Sequence, residues 1–227
     1  MKTALQGVFC GIIKNMENFI LDANLFFNMQ AGLGLGKKTE EVILGLTKKA
    51  RELKNIKKAD FFMPPSVVSE FLSFFEDKGQ PLLKNFLSVI TIKAPDYGKI
   101  NFSSVVFGEL VGEIRQRSYR GLNIGEEEIE KAGRSLQGKK DLDTKGFQIE
   151  IGKNIKTFRE RYRTATRIGF LDSVADLDLI VLAKETNGFV VSTDEGVIAW
   201  ARKFGVKELP AIAFLGRLND LALPRQE

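Results

Sequence analysis

Four aspartates and one glutamate stand where carboxylate chemistry is possible. Asp22 ends the apolar run Phe19-Ile20-Leu21, and Asp194 follows Phe189-Val-Val-Ser192-Thr193. Asp172 and Asp176 are four apart, which would place them on one face if both sat on a helix. Glu70 borders the apolar arc of Val67, Phe71 and Phe74 on a helical wheel. Taken singly, each aspartate also suits helix capping: Asp is a favoured N-cap, and Ser173 with Asp176 resembles part of a capping box. Gathered at one place, several carboxylates repel unless cations neutralise them. Oxygen-only donors suit Mg²⁺ or Mn²⁺. Such a site, with Asp22, Asp172, Asp176 and Asp194 as metal ligands, can activate a water and stabilise charge on a phosphodiester. Asp178, two residues beyond Asp176, is read as pointing elsewhere.

What the chain lacks sharpens this. It has no His, which excludes His-based acid–base catalysis, Ser–His–Asp and Cys–His arrangements, and zinc sites with a His ligand. Its one cysteine, Cys10, allows no intramolecular disulfide and fits a reducing, cytoplasmic compartment. No apolar run reaches the roughly 20 residues of a membrane span, so no membrane partner is expected. The formal net charge of +5 suits a polyanionic partner without naming one. Residues 1–15 show no small-residue cleavage site. They read as a dispensable extension, with Met16 as the natural start.

The elements that would position the acids alternate. Asn18–Asp22 reads as a buried strand, Ala23–Gln30 as a helical turn or two, and Thr39–Leu53 as a helix. Asp60–Met63 reads as a strand, Ser66–Asp77 as a helix and Ser88–Lys93 as a β-branched strand. Helices are expected over Asn101–Arg120, Gly125–Gln137 and Thr144–Ile168, the first with Val106, Leu110, Val111 and Ile114 on one side. Asp172 opens a helix ending near Asn187-Gly188, with Gly as C-cap. Phe189–Ser192 is a strand, Asp194 opens a helix to about Phe204, and Ala211–Leu215 is a last strand. The fold expected is α/β: three α/β/α layers around a parallel sheet, with a long helical insertion. Ligands of such sheets bind beyond the C-terminal strand ends, where Asp22 and Asp194 lie.

The helix ending at Arg167 carries a basic stripe of Lys156, Arg159, Arg163 and Arg167, with Ile155, Phe158, Tyr162 and Ala165 on another face. One face can pack while the other meets RNA phosphates; a solvated face, or pairing with Glu126–Glu130, is the plainer alternative. Arg115, Arg117 and Arg120 form a looser second cluster. Gly32–Lys38 lacks both the Walker and the G-x-G-x-x-G spacing, so no nucleotide cofactor is expected. The paired phenylalanines (26-27, 61-62, 74-75) and Trp200 read as core.

Taken together, Phe19-Ile-Leu-Asp22-Ala-Asn24, Ser69-Glu70, Asp172-x3-Asp176 and Ser192-Thr-Asp194 resemble the PIN-domain nucleases. The 101 residues between Glu70 and Asp172, with GFLDSVADLDLIVLAKE and STDEGVIAWARKFGV, resemble the small protein-only ribonuclease P family called HARP, also described as RNA ligase partner proteins. The resemblance implies removal of the 5′ leader from precursor tRNA, and self-assembly through the insertion into a large homo-oligomer. It implies catalytic acids at Asp22, Asp172, Asp176 and Asp194, with Glu70 as an additional acid from the wider PIN pattern. It divides the chain into a nuclease domain, 16–96 and 169–227, and an inserted helical region, 97–168, for oligomerisation and tRNA binding. A toxin-like PIN ribonuclease and a non-catalytic RNA ligase partner are the alternatives.

Overall fold

The computed structural model describes residues 16–28, 33–139 and 142–223. The expected extension at 1–15, and part of the glycine-rich loop, lie outside the described residues. Five parallel strands form one sheet: β1 (Glu17–Leu21), β2 (Ala59–Met63), β3 (Thr91–Ile92), β4 (Phe189–Ser192) and β5 (Lys207–Pro210). Their order is β3-β2-β1-β4-β5. β1 pairs with β2 through Phe19↔Phe61 and with β4 through Leu21↔Val191. Phe19, Ile20 and Leu21 are fully buried, as a central parallel strand covered on both faces requires.

Helices cover both faces. α1 (Thr39–Asn55) packs with α3 (Pro81–Leu87) and α8 (Ala211–Ala222) on one side. α6 (Val174–Thr186) lies between α2 (Pro65–Ser73) and α7 (Glu195–Lys203) on the other. Phe19 packs on Phe61, Phe189 and Phe214 with ring centroids 5.3–5.8 Å apart, joining the sheet to α8. This is the three-layer α/β/α fold expected from the sequence.

Several local expectations change. Asn101–Arg120 and Gly125–Gln137 are one helix, α4 (Ser104–Leu136), of 33 residues, about 50 Å long at 1.5 Å per residue. Gly121 lies within it: a Cβ there would meet the Tyr162 ring at 2.7 Å, so glycine lets α5 (Thr144–Arg167) pack closely. Val106 on α4 is buried, but Val111 and Ile114 are exposed. The run Ala211–Leu215 is not a strand. It starts α8, whose Ala211, Phe214 and Leu218 are buried at helical spacing, and the strand is the preceding Lys207–Pro210. Ser88–Lys93 shrinks to Thr91–Ile92 behind α3, whose buried Leu83 and Phe86 make its helical face. α6 ends at Asn187, which takes the left-handed conformation (φ 50°) expected of Gly188. Phe74 is 55% exposed, against the core reading, with its ring centroid 4.0 Å from that of Phe27.

Candidate active site

β1 runs through β2 to β3 on one side, whereas β4 and β5 lie on the other. The chain reverses its order between β1 and β4, and a crevice opens at that point beyond the C-terminal strand ends. Asp22 leaves β1 there and Asp194 follows β4. The Asp22 amide donates to Val191 O at 3.1 Å, extending the ladder by one residue. The Ser192 hydroxyl donates to Asp22 Oδ2 at 2.5 Å and accepts from the Asp194 amide at 2.9 Å. Ser192 therefore ties the two aspartates together. It stood in the Ser-Thr-Asp motif, but its partner across 170 residues was not legible there.

Each of these aspartates also caps. Asp22 accepts from the Asn24 amide at the 3₁₀ turn Ala23–Phe26. Asp194 Oδ1 accepts from the Gly196 and Val197 amides at 2.6 and 3.3 Å. A Cβ on Gly196 would lie 2.9 Å from the Phe170 backbone, so glycine lets α7 start directly against that loop. Asp176 completes a capping box with Ser173: its amide donates to the Ser173 hydroxyl at 3.1 Å, and its Oδ2 accepts from the Ser173 amide at 3.2 Å. The box makes Ser173 the N-cap, so Asp172 precedes α6 rather than opening it. Asp172 and Asp176 do not share a helix face as expected. Capping fixes these side chains without using them up: Asp176 Oδ1 and Asp194 Oδ2 accept no hydrogen bond among the described residues.

The five acids feel one another. Asp22 is 2% exposed, and burial pushes its carboxyl up to about 6, with Glu70 and Asp194 adding to the rise and the Ser192 hydrogen bond opposing it. Burial also pushes Asp176 up to about 6, and Asp22, Asp172 and Asp194 add to it. Glu70 is raised by partial burial, then by Asp176 and Asp172. The sole ion pair to these acids among the described residues is a loose one, Arg167 Nε to Asp172 at 3.8 Å. No three of them converge into a ready-made metal cage among the described residues. Oxygen-only donors, with burial raising the proton affinity of Asp22, Asp176 and Glu70, nonetheless suit a hard divalent ion, which would draw the acids together.

A cleft of about 460 Å³ joins two of these acids to the basic helix: Arg163 and Arg167 line it with Asp172, Thr193 and Asp194. Lys156, Arg159, Arg163 and Arg167 are all exposed. Two glutamates of α4 are met instead by Arg161, which donates to Glu127 and Glu128 at 2.6 Å. Arg117 is structural too: it donates to the Thr166, Ile168 and Gly169 carbonyls at 3.0–3.3 Å and covers the Phe170 ring. This cation closes the C-terminus of α5 and anchors the end of the stripe beside Asp172.

Residues 18–222 match the family model described as PINc domain ribonuclease. The chain is 33% identical over 206 residues to the RNA-free ribonuclease P of Pyrococcus furiosus, covering 91% of this chain and 94% of that one. It belongs to the RNA-free ribonuclease P family of PIN-domain ribonucleases. The family member of Methanocaldococcus jannaschii is 32% identical over 220 residues, covering 90% of this chain and 91% of its own. That of Thermodesulfovibrio yellowstonii is 33% identical over 194 residues, covering 86% and 89%. The matched span takes in the whole sheet from Asn18 on, all five acids and the basic stripe. Among the described residues, no helix is long and apolar enough to cross a membrane.

Proposed function

We propose that this chain removes the 5′ leader of precursor tRNA without an RNA subunit, using the cleft where Arg163 and Arg167 meet Asp172 and Asp194. That shared cleft is the observation that supports the assignment: two exposed arginines and two of the acids, Asp172 and Asp194, line one space. Asp22, Asp172, Asp176 and Asp194 would hold Mg²⁺ or Mn²⁺, with Glu70 as an additional acid on the rim. When bound, the cation lowers the pKa of a water and neutralises charge on the phosphate under attack. The acids orient that water; Ser192 and the capping amides keep them from turning away. The hydroxyl of water adds to phosphorus, the bond to the leader's 3′ oxygen breaks, and that oxygen takes the proton. The products are a 3′ hydroxyl on the leader and a 5′ phosphate on the tRNA. The stripe from Lys156 to Arg167 takes up the C-terminal half of α5, about 18 Å, so a tRNA body held along it sets the cut by distance. The cytoplasm, where precursor tRNA and free thiols coexist, is the proposed site of action.

The helical insertion, 97–168, is the proposed self-association surface. An apolar groove between α4 and α5 is lined by Ile129, Ile151, Ile155 and Phe158, with Ile129 75% exposed. Replacing Ile129 and Ile155 by Glu should reduce the assembly to smaller species in light scattering after gel filtration. A wild-type chain that is already monomeric would refute this association.

Proton and cation compete for the same oxygens. In the folded chain Asp22 and Asp176 keep protons up to about pH 6, whereas unfolded they release them near roughly pH 4. Between those values the folded state binds more protons, so its stability without metal falls as pH rises through the window. Metal then restores stability above it. Mg²⁺ at tenfold its dissociation constant adds about 1.4 kcal/mol, or about 3–6 °C in Tm for a chain of this size. Thermal melts with Mg²⁺ or EDTA should show this gain at pH 7.5 and little of it at pH 5; equal gains would remove these acids from the metal site.

The function itself is tested with 5′-labelled precursor tRNA, in Mg²⁺ and in EDTA. One Mg²⁺-dependent cut at the mature 5′ end is expected. Scattered cuts would indicate a general PIN nuclease, and RNA binding without cutting an RNA ligase partner.

A further inference from the structure

Asp178 has no part in the site described above, yet it is among the most firmly held acids in the molecule. It lies on α6 two residues after Asp176 and is 8% exposed. Each of its oxygens already accepts a hydroxyl: Ser66 donates to Oδ2 at 2.6 Å, and Tyr97 donates to Oδ1. Short O–H···O⁻ bonds of this kind are the strong, charge-assisted type. With both oxygens engaged below the surface, Asp178 is placed to brace the structure rather than to bind an ion.

The two donors come from different elements. Ser66 stands in the first turn of α2, four residues before Glu70, so the two share a helix face. Tyr97 opens the 3₁₀ turn Tyr97–Lys99, which leads into α4 and the helical insertion. The same stretch is tied to α6 a second time, because Glu185 accepts from Lys93 Nζ at 2.9 Å and from the Asp96 amide at 3.1 Å.

We propose that Asp178 is a positioning residue that clamps α2 and the segment leading to α4 onto α6, holding Glu70 and Asp176 at the separation a divalent cation needs. Glu70 and Asp176 repel, and without a cation that repulsion works against the packing of α2 on α6. The clamp opposes it from beneath. The same carboxylate links the start of the insertion to the helix that carries Asp176, so RNA bound on the insertion and acids in the cleft keep one spatial relation. This role rests on the metal-binding reading of the preceding subsection.

The test is Mn²⁺ binding, followed by electron paramagnetic resonance on the intact chain without RNA, for wild type, Asp178→Asn and Tyr97→Phe. Outer partners of metal ligands typically contribute 10–100-fold in affinity or activity. Asp178→Asn should weaken Mn²⁺ binding about tenfold or more on that scale. It should raise the Mg²⁺ concentration for half-maximal cleavage in parallel and leave the KM for precursor tRNA unchanged. Tyr97→Phe should move both in the same direction by less. A residue serving stability alone would lower Tm in EDTA and leave the Mn²⁺ affinity untouched, and that result would overturn the proposal. If Asp178→Asn does not fold, Tyr97→Phe and Ser66→Ala decide by the same readout. Mn²⁺ binding needs no RNA, so a wild type that binds the ion but leaves precursor tRNA uncut would refute the proposed function while the clamp was still judged.

Discussion

Replacing Asp22 by Asn should abolish precursor tRNA cleavage and leave the apo protein as stable as before, or more so. Asn has the shape of Asp, and its Oδ1 can still accept from the Ser192 hydroxyl or the Asn24 amide. What disappears is a negative charge that burial disfavours and that Glu70 and Asp194 repel. The gain above pH 6 is expected to be on the order of 1 kcal/mol, or about 2–4 °C in Tm, because the amide still carries a polar burial cost. Cleavage should fall by about 10³-fold or more, since groups that act as one unit fail together. Asp194→Asn should lose activity on the same scale, and α7 should keep its N-cap, because Asn caps as well as Asp. Single-turnover cleavage, thermal melts in EDTA and precursor tRNA affinity in Ca²⁺ measure the three quantities separately. Cleavage by Asp22→Asn within tenfold of wild type would remove this carboxylate from the chemistry.

The second large effect concerns RNA affinity. Changing Lys156, Arg159, Arg163 and Arg167 together to Gln should weaken precursor tRNA binding on the order of 100-fold at physiological salt, at about 0.7 kcal/mol for each exposed ion pair with a phosphate. The slope of log Kd against log salt should drop by about 3–4, near one for each phosphate no longer neutralised. The chemical step on saturating substrate should change little for Lys156 and Arg159. It should change more for Arg163 and Arg167, which line the same cleft as Asp194. Arg161 is the internal control on the same helix. It is committed to Glu127 and Glu128, so Arg161→Gln should loosen the α4–α5 pair without lowering the salt slope. Filter binding across a salt series separates the cases, and an unchanged slope in the fourfold variant would rule out the stripe as the surface that meets RNA.

The amino-acid sequence by itself determined the strands that end in acids. An unbroken apolar run such as Phe19-Ile20-Leu21 followed by Asp22 has few other solutions, because a strand buried on both faces must be apolar along its length and polar where it emerges. It also determined the oxygen-only character of the site, by lacking His and all but one Cys. The 3.6-residue period separated the stripe of α5 from its packing face, since that separation is a property of the helix alone. The tertiary structure decided which basic residues are free. Arg161 and Arg163 look alike in sequence, and only the neighbouring α4 takes Arg161. It decided why position 121 is glycine, because the reason is a ring on α5. It decided that KELP is a strand: a short edge strand ending in Pro carries no alternating pattern, and pairing with β4 defines it. Asp178 shows the limit most clearly. Its spacing from Asp176 set it apart from the acid cluster, but its partners, Ser66 and Tyr97, lie 112 and 81 residues away. Local patterning records what a residue does to its own helix or strand. A hydrogen bond closed across such distances exists only once the layers have packed.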